Sequence, residues 1–148
     1  MLYKKIFIFL FIMVATTSVM AEHAERHQKV DGLSVYFGVI PAQLIVGHGN
    51  MHRTTDMIHG KHTYHILVAL FDNKSGERIT DAKIKATVIP LGMKGLSKKL
   101  ESMYGDLISY GNYFTLSEVT PYIIKVEIRR AENGVKSIAE FTFTRPRD

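Results

Sequence analysis

The chain has no cysteine and no tryptophan in 148 residues. Without cysteine it has no disulfide, no thiolate metal centre and no lipid-modified N-terminal cysteine, so an apolar core or a bound metal must hold the fold. No stretch reads as an amphipathic helix, which leaves strands to build the domain. Glycine-rich loops that cradle phosphate are missing, as are serine or cysteine nucleophile motifs. In the histidine-rich stretch described below only Asp56 offers a carboxylate base for metal hydrolysis. These absences point away from an enzyme. Cationic excess is small, with 19 Lys and Arg against 14 Asp and Glu. It is spread along the chain, Lys98–Lys99 and Arg129–Arg130 being the densest pairs, without interleaved aromatics, so no nucleic acid is expected as a partner.

Long apolar runs are lacking too. Ile6 to Ala15 falls well short of the roughly 20 residues needed to cross a bilayer. Preceded by Lys4 and Lys5 and closed by small residues at Ala21, residues 1–21 read as a signal peptide cut between Ala21 and Glu22. The mature chain is then expected in the periplasm or otherwise exported, with no membrane span. Its length bounds it to one domain. Residues 22–30 read as a polar tail in which His23 and His27 stand four apart, and 31–148 as the folded domain.

Within that domain the period of two recurs. Leu33, Val35, Phe37 and Val39 alternate with Ser34, Tyr36, Gly38 and Ile40, and Pro41 ends that strand or marks an edge. Ile66 to Phe71 is apolar on both faces, the pattern of a central strand, with DNKSG at 72–76 as its turn. Ala82, Ile84, Ala86 and Val88 alternate with Lys83, Lys85 and Thr87 as far as Pro90. Leu91 to Lys99 then reads as a loop, Leu100 to Met103 as a short strand, and residues 110–113 as a tight turn into YFTL. Tyr122, Ile124, Val126 and Ile128 oppose Lys125, Glu127 and Arg129. Asn133–Gly134 makes a hairpin turn to a last strand with Ala139, Phe141 and Phe143 on one side. About seven strands without a helix imply an all-β fold, an immunoglobulin-like β-sandwich.

Gly47 to His65, GHGNMHRTTDMIHGKHTYH, holds five of the seven histidines and two of the seven methionines. The candidate ligands are His48, Met51, His52, Met57, His59, His62 and His65. Imidazole nitrogen with thioether sulfur, and no thiolate, favours copper: Cu(I) where methionine joins, Cu(II) where histidine dominates. Zinc is the alternative, though it gains little from methionine. On a strand from residue 63, His65 points to the face of Leu67 and Ala69, and Tyr64 to that of Ile66 and Val68. His62 lies just outside on the loop. Gly60 lets the backbone fold back, so His59, His62 and His65 can converge on one ion beneath an arm bearing the other four. The competing reading makes the stretch a solvated or pH-responsive linker, in a structural or interaction domain that docks onto an envelope or inner-membrane protein by a sheet edge. Met103 is expected to fill a core gap with Met93 exposed, the alternative being that one of them is a distal thioether ligand. Tyr104, Tyr110 and Tyr113 with Gly105 and Gly111 read as a packed corner.

DNKSGERITDAKIKATV at 72–88 followed by YGNYFTLSEVTPYIIKVEIRR at 110–130 resembles the small exported domains of the YtkA-like and CopC-like kind. The matching positions are Asp72, Gly76, Ile79, Ala82 and Ile84, then Gly111, Tyr113, Tyr122, Ile124 and Val126. They are scaffold positions over about half the mature chain. The resemblance implies a periplasmic or cell-surface domain that binds copper, or assists metal handling, without catalysis. Of the methionine-rich segment typical of such domains, Met93 in LGMKG is the counterpart here.

Overall fold

The computed structural model describes residues 25–45, 60–103, 109–132 and 134–147. Eight strands follow one another: β1 (His27–Val30), β2 (Leu33–Pro41), β3 (Thr63–Asp72), β4 (Lys83–Pro90), β5 (Leu96–Met103), β6 (Ser109–Thr115), β7 (Pro121–Arg129) and β8 (Lys136–Thr144). A 3₁₀ turn, Ala42–Ile45, follows β2. Every pairing is antiparallel, and the strands join in the order β1-β2-β3-β6-β5-β4-β7-β8. The fold is all-β, as expected, with eight strands in one nearly closed sheet where about seven in a sandwich were anticipated.

Alternation explains the core. Leu33, Val35 and Phe37 of β2, Ile66, Val68 and Leu70 of β3, Ile84, Ala86 and Val88 of β4, and Tyr122, Ile124, Val126 and Ile128 of β7 all point inward and are buried. Each such Leu, Ile, Val or Phe is worth ~1.5–3 kcal/mol relative to exposure. Phe37 stacks on Phe141 of β8 with centroids 4.7 Å apart, and Tyr64 meets Phe143 edge-on at 5.7 Å. These pairs tie the two ends of the strand order together through the interior.

The stretch expected as a polar tail contributes β1. Its cause is Asp31–Gly32: both residues have positive φ (49° and 79°) between the paired Val30 and Leu33, the geometry of a two-residue hairpin turn. The seam from β1 to β8 is closed by a side chain. Gln28 Nε2 donates to the Glu140 carbonyl at 2.6 Å while the Glu140 N–H donates to Gln28 Oε1 at 2.9 Å, so one amide side chain stands in for a strand's peptide group. β5 is likewise longer than the expected Leu100–Met103. Only Leu100 in it is buried, and backbone pairing with β4 and β6 carries the rest.

The connection from β6 to β7 crosses one end of the sheet. Leu116 plugs that end, fully buried. The Tyr122 hydroxyl accepts from the Glu118 N–H at 2.7 Å and donates to the Glu118 carbonyl at 3.1 Å. These two bonds pin the connection to the start of β7.

Candidate metal centre

β3 lies between β2 and β6, and its two faces differ. Ile66, Val68 and Leu70 enter the core, while His65, Leu67 and Ala69 turn to the outer face, the parity expected from the sequence. His65 pairs with Ile40 of β2 and Tyr113 of β6. Although on the outer face, it is only 1% exposed. Its ring stacks on that of Tyr113, centroids 4.5 Å apart at 29°. Burial also pushes the Tyr113 hydroxyl above its ordinary pKa.

Gly111 sits two residues from Tyr113 along β6, opposite Leu67 on one side and Glu101 of β5 on the other. Because it has no side chain, neighbouring groups occupy the space above it. A Cβ placed there would lie 2.6 Å from His65 Nε2, 2.8 Å from His65 Cε1 and 2.8 Å from Met103 Sδ. The imidazole nitrogen and the thioether sulfur are therefore no farther apart than the first and last of those distances combined. Ser109, paired with Met103, directs its hydroxyl at Sδ from 4.0 Å. Glu101, opposite Gly111, has its carboxylate 3.0 Å from the Lys99 ammonium.

Met103 thus fills no core gap, contrary to expectation. Leu100 takes the inward position on β5, and the alternation puts Met103 on the outer face against His65. Met93 is 55% exposed on the turn between β4 and β5, so of the two methionines left open in the sequence the fold brings Met103 to a histidine. His62 is half-buried just before β3, its carbonyl accepting from the Leu116 N–H at 2.8 Å. The Gly60 carbonyl accepts from the Thr63 N–H at 3.0 Å, closing a tight turn into β3. His48, Met51, His52, Met57 and His59 lie outside the described residues. Among the described residues no three of His, Asp and Glu gather at one point. Tyr110 and Tyr113 are both buried but on opposite faces of β6, so they form no common corner, and Tyr104 and Gly105 lie outside the described residues. The Tyr110 hydroxyl accepts from the Ala82 N–H at 3.0 Å.

What emerges is an antiparallel all-β domain with a histidine and a methionine side by side above Gly111 on its outer face. An imidazole beside a thioether is a donor pair of intermediate and soft character, suited to copper above harder cations. No protein-family model matches the chain, and no curated protein sequence matches it. Solved structures do share its shape. A DUF4426 family protein from Pseudomonas aeruginosa PAO1 superposes with a TM-score of 0.64 at 14% identity, over 84% of this chain and 99% of that one. FetP of uropathogenic Escherichia coli strain F11, as isolated after expression in the periplasm, gives 0.62 at 13% over 82% and 93%. A copper-bound variant of the same FetP gives 0.57 at 11% over 82% and 94%. Identities this low make each a likeness of fold. Among the described residues no helix is long and apolar enough to cross a membrane.

Proposed function

We propose that this chain is an exported, non-enzymatic metal-binding domain of immunoglobulin-like type that holds copper as a buffer or carrier. The observation that carries the reading is the meeting of His65 Nε2 and Met103 Sδ over the bare backbone of Gly111. Two donors from different strands at one point are pre-organised by the sheet, which lowers the ordering cost of binding. The remaining ligands would come from the histidine- and methionine-rich stretch, which runs directly into β3. The fold likeness to FetP, one structure of which holds copper, agrees with a metal-handling role outside the cytoplasm. Zinc is the alternative ion.

The test is competition for Cu(I) against a chromophoric chelator, with Zn(II) titrated in parallel. Met103→Leu keeps the volume and removes the donor, so it is expected to weaken Cu(I) by about tenfold, equivalent to 1.4 kcal/mol, and to leave Zn(II) unchanged. A His48→Ala, His52→Ala, His59→Ala variant measures what the stretch adds. Failure of the wild type to bind copper at micromolar levels would retire the proposal. Equal Cu(I) affinity in wild type and Met103→Leu would remove the sulfur from the site.

A further inference from the structure

The two ends of the sheet differ in chemistry. Register places the end of β2 beside the start of β3, the end of β6 beside that start, and the end of β4 beside the start of β7, so their connections share one end of the molecule. Three hydrogen bonds knit it: Gln43 Nε2 to the Lys61 carbonyl at 3.2 Å, the Leu116 N–H to the His62 carbonyl at 2.8 Å, and the Leu91 N–H to the Pro121 carbonyl at 3.0 Å. Here stand Leu44 (75% exposed), Leu91 (59%), Met93 (55%), Leu96 (52%) and Val119 (54%). Lys61 and Lys94 are exposed among them, and Arg147 follows the end of β8. Glu118 is the one acid on the described connections at this end. The opposite end bears Asp31, Asp72, Glu77, Asp81 and Glu132 beside Lys74, Arg78 and Arg130, so acids outnumber bases on the described connections there.

We propose that the apolar, cationic end is a docking surface for an anionic lipid bilayer. The exposed Leu, Met and Val side chains here stand on separate connections beside exposed Lys61 and Lys94, apolar tips interspersed with cations that complement an anionic surface. They suit insertion to the shallow depth of a headgroup and acyl boundary, where apolar tips gain burial and lysine reaches back to phosphates. Each cation held close to an anionic leaflet raises partitioning by roughly fivefold. The acids do not oppose this. A strand of nine residues such as β7 separates the ends by about 30 Å, several times the ~8 Å screening length at physiological ionic strength.

The chain from Glu22 onward, in the presence of a metal chelator so that copper plays no part, is sedimented with vesicles of phosphatidylethanolamine and phosphatidylglycerol. It is expected to bind these, to bind neutral phosphatidylcholine vesicles at least fivefold more weakly, and to dissociate as salt is raised. Leu91→Asp with Met93→Asp alters only exposed turn positions and is expected to lower partitioning at least tenfold, with Lys94→Glu lowering it about fivefold or more. Ile138→Asp, which replaces an exposed apolar side chain away from this end, is expected to bind as wild type. Absence of binding to anionic vesicles, equal binding by the Leu91→Asp, Met93→Asp variant, or binding only to membranes that contain integral proteins would each overturn the proposal. The last would make the partner a protein.

Discussion

Giving residue 111 a side chain probes the space that His65 and Met103 share without removing either donor. In Gly111→Ala the new methyl would lie 2.6 Å from His65 Nε2 and 2.8 Å from Met103 Sδ, against the ~3.5–4.0 Å of ordinary contact, so both must retreat by about 1 Å. Met103 is flexible and half-buried, and moves at little cost. The His65 ring has less freedom, being stacked on Tyr113 and 1% exposed. Overpacking of this kind costs ~1–3 kcal/mol, offset by ~0.5–1 kcal/mol because alanine is less free than glycine in the unfolded chain. A net loss of about 0.5–2 kcal/mol is expected. It should appear as a lower urea midpoint with unchanged slope, together with weaker Cu(I) binding because nitrogen and sulfur no longer share one point. Adding Met103→Ala to Gly111→Ala separates the contributions: stability returns if the sulfur is crowded and stays low if the ring is. Gly111→Ala with wild-type stability and wild-type copper affinity would refute the geometry.

Other consequences can be measured on the same preparation. Gln28→Ala removes two hydrogen bonds across the β1–β8 seam and should cost about 1–2 kcal/mol, with faster amide exchange at Glu140; unchanged exchange there would mean that the seam is held otherwise. Tyr122→Phe removes both bonds to Glu118 and should cost ~1–3 kcal/mol in chemical unfolding. Burial raises the hydroxyl pKa of Tyr110 and of Tyr122, so their contribution is complete below about pH 10 and is lost as pH rises through the folded-state values; Tyr110→Phe should flatten that alkaline decline. The N–H groups of Ser75 and Lys74 hold the Asp72 carboxyl below its usual range. Its contribution is therefore present above about pH 4 and lost as pH falls through the depressed value, a slope that Asp72→Asn should reduce.

The limits of sequence reading fall where pattern and contact part company. β4, β7 and β8 are legible because each alternates apolar and polar residues along its length. Their inward Ile84, Val126 and Phe141 needed nothing beyond a period of two. β1 has no such period. What makes it a strand is the Asp31–Gly32 turn, a short-range signal present in the sequence, together with a Gln28 bond reaching 112 residues ahead, which no local pattern announces. β5 was half-visible for a related reason: one fully buried residue, Leu100, leaves its ladder bonds as the main evidence of strand.

The candidate site divides along the same line. His65 lay in a conspicuous cluster, and its facing followed from parity with Leu67 and Ala69. Met103 lies 38 positions away on a strand two places over in the sheet, and its approach to His65 depends on how β5 and β6 pair. One local clue did exist. Glycine inside a strand often marks the place where another group comes close, and Gly111, in a stretch whose sequence suggests a turn, stands inside β6. Read as a strand glycine, it implies the alternation that the register shows. Tyr110 enters the core side while Tyr113, three residues on, takes the outer face against His65. Aromatics buried on both faces of one strand make sense only if the outer face has something to cover. Here that is an imidazole, and beside it a thioether.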